Sequence, residues 1–363
     1  MGRGWRWLWA RCPGIGAARL RALEALAASH QISLAQLWTW PLEHLAQSLG
    51  WPAVVMDQLD GYRRRCGARP DLAVPVDVLL PGDPAWPEPL DGLESPPLGL
   101  FHRGNAALLP LLQCRQTIAV VGTRAPSEHG RSMADRLGRA LGLAGWPVLS
   151  GLADGIDAAV HRGCLAVGGA PIAVLGTHLD RVYPTHHHHL QTAVAEAGLL
   201  LSERGPDQSP RPGHFAARNR LIVALASAVV IVECPERSGA LISARHARAM
   251  NCPVWVVPAD ACRRSARGSN ALLAQGAAPL LDPEVWVAQL GPGPLGGVHR
   301  RSRPLIADQI SDQQLREALD EGGTLDELQR CLGRSAGPLA HELVQLELQG
   351  LVVCESGQRW RSL

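Results

Sequence analysis

IAVVGTRAPSEHG, residues 118–130, decides how the middle of the chain is read. Ile118 to Val121 is a short apolar run with β-branched residues, the pattern of a strand buried on both faces of a parallel sheet. Gly122 breaks the run, Thr123 and Arg124 occupy the turn, Ser127 is an N-cap residue, and an amphipathic stretch from Glu128 to Ala144 follows. The order is strand, tight turn, helix. Such a turn aims backbone N–H groups and a helix N-terminus past the carboxyl end of the strand, and Arg124 adds a guanidinium, so its natural ligand is a phosphate.

The same unit recurs on the C-terminal side. Pro147–Leu149 leads into SGLADGIDAAVH (150–161), and Ile172–Leu175 into GTHLDRVYP (176–184). Leu199–Leu201 precedes Ser202-Glu203-Arg204, and Val229–Val232 precedes ECPERSGALISARHA, in which Ser238 and Gly239 open a helix. Val254–Val257 is a sixth strand, followed by SNALLAQGAA (269–278). Strands alternating with helices predict a Rossmann-like, doubly wound, mainly parallel α/β sheet with right-handed crossovers. Ligands of such sheets bind at the carboxyl ends of the strands, where all these glycine turns fall.

Working outward gives four segments. Residues 1–70 read as a helical module of the helix-hairpin-helix or SAM-like kind. Gly14-Ile15-Gly16 precedes a helix with Leu20, Leu23 and Leu26 on one face, which suits either a phosphate-gripping hairpin or plain helix packing. Trp5, Trp7 and Trp9 alternate with Arg3, Arg6 and Arg11; burial of the tryptophans is expected in preference to a stacking surface. Residues 71–290 form the core with its lead-in, and proline-rich DPAWPEPLDGLESPPLGLFHRGN (83–105) reads as an extended connector draped over it. GPGPLGGVHRRSRP within 291–304 is a linker. Residues 305–363 read as a winged helix: helices near 311–319, 324–332 and 338–349, then a hairpin turning at Ser356-Gly357. The third helix carries Glu342 and Glu347 and no arginine, which argues against reading of a major groove and leaves a protein contact open.

Composition narrows the chemistry. All 35 basic residues are arginine, which excludes a Walker A lysine, a Schiff-base lysine and a kinase strand lysine. The nine cysteines contain no CxxC pair, so neither a zinc ribbon nor a disulfide framework is indicated. No apolar run reaches the length of a signal peptide or a membrane span, and a soluble cytoplasmic protein is expected.

In order and at similar spacing, the motifs VVGTR, SGLADGIDAAVH, AVLGTHLDRVYP, LSE, FAARNR, ECPERSG, and GSN with GAA resemble the pattern of the DNA-processing protein A (DprA, or Smf) family. The resemblance covers about Asp83 to Asp282. It implies a non-enzymatic binder of single-stranded DNA that protects incoming DNA during natural transformation, loads the RecA recombinase and dimerises through its core. No cofactor, no metal and no membrane partner is implied. Phosphates are then expected on Gly122, Thr123 and Arg124, on Ser150, Gly151 and Gly155, and on Ser238 and Gly239. Arg218 and Arg220 flank Asn219 and offer two guanidiniums and an amide to the same strand, while Phe215 is either a stacking face or a core residue at a helix start. Asp157, His161 and Glu203 are read as structural support of the loops.

Three other readings are weighed. Ser150, Asp157 and His161 contain the residue types of a hydrolase triad, but Ser150 lacks a GxSxG elbow, and an i,i+4 Asp–His pair suits a structural hydrogen bond that fixes the glycine loop. A nucleotide hydrolase resembling the lysine decarboxylase-like phosphoribohydrolases needs a PGGxGTxxE stretch, and CPERSGALIS lacks its glutamate. A dehydrogenase needs GxGxxG, which VGTRAPSEHG is not. His186 to His189 depart from the family, which has asparagine where His187 stands. They are read as a departure and not as a metal site, because adjacent loop imidazoles rarely have the outer-shell partners that fix ligands. Ala259 and Ser243 are milder departures.

Overall fold

The apolar runs form one sheet because each is too short for a helix, rich in β-branched residues and closed by residues that turn the chain. The computed structural model describes residues 2–206, 208–296, 312–348, 352–355 and 358–362. The chain divides into two units, residues 1–165 with 169–297 and residues 166–168 with 298–363.

The first unit opens with helices α1 (Gly2–Ala10), α2 (Ala17–Ser29), α3 (Leu34–Thr39), α4 (Leu42–Leu49) and α5 (Ala53–Cys66). Trp7 and Trp9 are buried and Trp5 half-buried, as expected of core residues. Trp9 meets Trp38 edge to face at 5.0 Å, and Arg63 covers both rings at 5.5 and 5.2 Å. The neighbouring arginines fasten the module: Arg3 forks onto Asp83 at 2.9 Å and Arg6 donates to the Pro81 carbonyl at 2.6 Å. In the Gly14–Gly16 turn, Ile15 is buried and its N–H bonds the Cys12 carbonyl at 3.1 Å.

The proline-rich lead-in does more than drape. Its strands β1 (Val78–Leu79) and β2 (Leu100–Gly104) add to the edge of the sheet, and α6 (Leu109–Gln113) follows. Then come β3 (Ile118–Val121), α7 (Glu128–Leu143), β4 (Val148–Ser150), α8 (Ile156–Ala166), β5 (Pro171–Leu175), α9 (His188–Ala197), β6 (Leu199–Ser202), α10 (Pro212–Leu225), β7 (Ala228–Ile231), α11 (Gly239–Ala249), β8 (Val254–Val256), α12 (Arg267–Ala274), β9 (Ala278–Pro279) and α13 (Pro283–Leu290). The strand order is β1-β2-β6-β5-β4-β3-β7-β8-β9. From β6 to β9 all neighbours are parallel, whereas β2 runs antiparallel to β6 and β1 to β2. The chain winds outward from β3 to β6 and returns on the other side of β3 as β7, so the winding reverses between β3 and β7.

Alternation along β3 builds a core on each face. Ile118 and Val120 pack with Met133, Leu137 and Leu141 of α7, while Ala119 and Val121 pack with Leu221 and Leu225 of α10. Burial of each such leucine contributes roughly 1.5–3 kcal/mol. Among the described residues no helix is long and apolar enough to cross a membrane, and none of the nine cysteines is in a disulfide.

The second unit holds α14 (Gln313–Glu321), β10 (Gly323–Thr324), α15 (Leu325–Leu332), α16 (Ala336–Leu348), β11 (Val352–Glu355) and β12 (Arg359–Ser362). Its antiparallel sheet has the order β10-β12-β11, and Leu315, Leu319, Leu328, Leu339 and Leu343 form its core. The Thr324–Glu327 capping box is formed. The hairpin tip Ser356-Gly357 and most of the linker, from residue 297, lie outside the described residues.

Candidate nucleic-acid interface

Where the winding reverses, the loops after β3 and β7 diverge and leave a crevice of about 350 Å³. Gly122, Thr123 and Arg124 form one side, Ser238 and Gly239 the other, and α10 closes the end with Phe215, Arg218 and Asn219. The glycines let the loops touch. A Cβ on Gly122 would strike Ile156 of α8, and Gly155, at φ +77°, lies against the Thr123 carbonyl, where a side chain would clash. Ile156 N–H donates to that carbonyl at 3.2 Å, so the first two glycine turns are hydrogen-bonded to one another.

The α7 N-terminus, read from the sequence as a phosphate seat, already carries an anion. Glu233 follows β7 and is buried; its carboxylate accepts from the Ser127 hydroxyl at 2.7 Å and from the Ser127 N–H at 3.2 Å. The negative charge sits where the helix dipole favours one. Ser127 also caps Gly130 N–H at 3.1 Å, and Gly130 has no side chain to push the carboxylate away.

The four arginines of the site fall into two kinds. Arg124 and Arg237 are exposed, line the crevice, and among the described residues have no hydrogen-bond or ion-pair partner. Arg218 and Arg220, expected to face a strand of DNA, are committed inward. Arg218 is 4% exposed and donates from Nη1 to the Gly151 carbonyl at 2.6 Å and to the Val174 carbonyl, tying together the ends of β4 and β5. A Cβ on Gly151 would collide with that guanidinium, which is why glycine stands there. Burial lowers the pKa of Arg218 to about 10, so it remains a cation at neutral pH and forms the charged floor of the crevice. Arg220 grips Glu203 with both ends of its fork, at 2.8 and 2.6 Å, and donates to the Ser95 carbonyl at 2.8 Å. Burial pushes the Glu203 carboxyl up, but the hydrogen bond and charge of Arg220 and the charge of Arg204 outweigh it and hold it below the ordinary glutamate value. The structural part assigned to Glu203 thus has a partner, and it is a residue expected to bind DNA.

Ser150, Asp157 and His161 do not assemble as a triad. Ser150 is fully buried and donates its proton to the Val120 carbonyl at 2.6 Å, which also removes it from the expected phosphate contacts. Asp157 supports the glycine loop by accepting from Ala153 N–H at 3.3 Å. Burial raises the pKa of its carboxyl, against the pull of the Arg218 charge. Neither nitrogen of the fully buried His161 has a hydrogen-bond partner among the described residues, so the expected Asp–His hydrogen bond is not made. Burial first, then the charges of Arg218 and His187, push the His161 pKa down to about 3, and the ring is neutral.

Phe215 is half-buried and belongs to the wall of the crevice, not to the core. The Arg124 guanidinium lies 5.7 Å from its ring centroid, and exposed Tyr183 tilts against it at 4.7 Å. Gly176 leaves room for the ring. Opposite, Ser238 caps α11 by accepting from Ala240 N–H at 3.2 Å, and Asn219 Nδ2 donates to the Gly239 carbonyl at 3.2 Å, fixing that loop on α10. A groove of about 640 Å³ shares Arg237, Ser238 and Gly239 with the crevice and continues past Arg245 towards Gln275. Sequence reasoning missed Arg237, Tyr183 and Glu233. All three stand inside quoted motifs, Glu233 as the first residue of ECPERSG, and a charged or aromatic residue beside a glycine turn is the signal that marks Arg237 and Tyr183.

A family model described as DNA recombination-mediator protein A matches residues 77–291. Protein Smf of Synechocystis sp. is 30% identical to this chain over 98% of either sequence. The X-ray structure of DNA processing protein A from Streptococcus pneumoniae matches with a TM-score of 0.65 and 29% identity, covering 79% of this chain and 97% of that one. DNA processing protein A from Helicobacter pylori, whose structure is reported for a unique single-stranded DNA binding mode, matches with a TM-score of 0.51 and 32% identity, covering 56% of this chain and 92% of that one.

Proposed function

The chain belongs to the DNA recombination-mediator protein A family, and from that premise we propose that it binds single-stranded DNA along the crevice between β3 and β7. Its role lies in DNA processing and recombination, as a mediator and not as an enzyme. In this reading phosphates are drawn to Arg124, Arg237 and the Ser238–Gly239 turn, over the charged floor supplied by Arg218. A base stacks on Phe215 and Tyr183. A basic groove with an aromatic face holds a single strand without reading its sequence, since every base has a π-face and every nucleotide a phosphate. The bound strand is thereby protected and delivered to RecA during natural transformation, by a cytoplasmic homodimer joined through the core, with residues 1–70 and 305–363 as accessory modules.

The observation that carries the proposal is the triplet Arg124, Phe215 and Tyr183 at the mouth of the crevice, a guanidinium without an ion-pair partner beside two rings tilted against one another. The test is binding of labelled single- and double-stranded oligonucleotides across a salt series. Expected are a preference for the single strand, affinity that falls with salt, and a loss of roughly 10- to 100-fold in Arg124→Ala with a shallower salt dependence. Equal affinity for both forms, or an Arg124→Ala protein that binds as wild type does, overturns it.

A further inference from the structure

We propose that Asp154, His186 and His187 form a binding site for a divalent transition cation of the zinc type. The site does not depend on the reading of the crevice. Asp154 comes from the loop between β4 and α8, and the histidines from the turn that precedes α9. His186 Nε2 lies 2.7 Å and His187 Nε2 3.4 Å from Asp154 Oδ1, and one ligand atom from each of the three lies within 4.8 Å of the others. Two imidazole nitrogens and one carboxylate oxygen are the donor set of three-ligand zinc centres, which keep a fourth position for water or a ligand.

What raises this above a run of histidines is the state of His187. It is 2% exposed, and its Nδ1 lies 3.1 Å from the Leu152 carbonyl. That carbonyl requires the proton on Nδ1, which leaves the Nε2 lone pair directed at Asp154. A backbone carbonyl on the far nitrogen is the outer-shell partner that orients a metal-binding imidazole. The adjacent residues of the sequence do not act as a string: His187 is fixed by the fold, Asp154 is brought in from another loop, and His186 swings over from the exposed side. His188 and His189 point elsewhere, as exposed residues of the first turn of α9, and are not part of the group. Binding through His186 Nε2 requires the neutral tautomer with its proton on Nδ1, which frees both Nε2 and Asp154 Oδ1 to coordinate. Asp154 also lines a recess beside Arg124, Tyr183 and Phe215, so the fourth position lies close to the aromatic mouth of the crevice.

The experiment uses the untagged full chain, stripped with a chelator and titrated with Zn²⁺ by calorimetry and with Co²⁺ by visible absorption. Asp154→Asn and His186→Ala change exposed or partly exposed side chains, and a His188→Ala/His189→Ala double variant keeps the proposed ligands. Expected are uptake of one cation per chain with ligand-field bands of nitrogen and oxygen coordination, an affinity at least about 10-fold lower in Asp154→Asn and in His186→Ala, and a double variant within twofold of wild type. Failure of the wild type to take up one cation per chain overturns the site. So does an Asp154→Asn protein with unchanged affinity, or a double variant as weak as Asp154→Asn, since either result assigns the metal to exposed imidazoles alone.

Discussion

Two pairs of arginines, one in VVGTR and ECPERSG and one in FAARNR, do opposite things. Arg124 and Arg237 occupy loops at the carboxyl ends of β3 and β7, exposed and, among the described residues, without a hydrogen-bond or ion-pair partner. Arg218 and Arg220 occupy α10, and their hydrogen bonds are internal: the Gly151 and Val174 carbonyls for the first, Glu203 and the Ser95 and Ala217 carbonyls for the second. Spacing in a sequence places charge near a site, but only the fold decides which charge remains free for a ligand. A helix that packs on a sheet turns one face inward, residues three or four apart, and a guanidinium on or beside that face must find acceptors or pay for its desolvation.

The sharpest way to break this contrast is Arg218→Ala. The change removes the guanidinium from the Gly151 and Val174 carbonyls and its charge from Asp157. A loss of roughly 3–5 kcal/mol of unfolding free energy is expected, read by chemical denaturation. A loss below about 1 kcal/mol would place Arg218 with the free pair. Next comes Arg220→Ala, which removes a bidentate partner from Glu203, where the two side chains are 12% and 9% exposed. A destabilisation of about 2 kcal/mol is expected, while the folded protein keeps its affinity for single-stranded oligonucleotide within about threefold. Arg124→Ala is the mirror image: weakened binding with stability within about 0.5 kcal/mol of wild type, as for a surface substitution. If Arg220→Ala weakened binding as much as Arg124→Ala does, the division of the arginines would fail.

The smallest effect concerns the group beneath Arg218. Folding depresses the His161 pKa from 6.5 to about 3, so between those values the unfolded chain binds the extra proton and the folded one does not. Stability from this residue is complete above pH 6.5 and declines as the pH falls. Between pH 6.5 and 5.5 the loss from this one ring is about 1 kcal/mol. His161→Gln should flatten the stability profile over that interval by this amount, and an unchanged slope would show that the ring is protonated in the folded state.

Much of the fold is legible because strands buried on both faces leave a simple trace. Ile118–Val121, Ile172–Leu175 and Val229–Val232 are short apolar runs rich in β-branched residues, and the first two are closed by a glycine, a pattern that fits a buried strand. The edge was not legible. Val78–Leu79 and Ala278–Pro279 are two-residue strands, and Leu100–Gly104 ends a proline-rich stretch, so each depends on pairing with a neighbour already in place. The site was legible as a set of loops and not as a set of contacts. Thr123, Arg124, Ser238 and Gly239 face the crevice because turns at strand ends must, whereas the inward commitment of Ser150, Arg218 and Arg220 depends on carbonyls and a carboxylate contributed by distant segments. The same limit hid His187, whose burial is set by Leu152 and not by its three neighbouring histidines.

Glu233 gives the crevice a kinetic character. With its carboxylate already seated on the α7 N-terminus, that anion seat is filled from within. Under the proposed reading, a strand in the crevice would rest on Arg124, Arg237 and the Ser238–Gly239 turn, separate contacts that a competitor could take over stepwise from one end. A single deep phosphate pocket would instead require the whole ligand to leave at once.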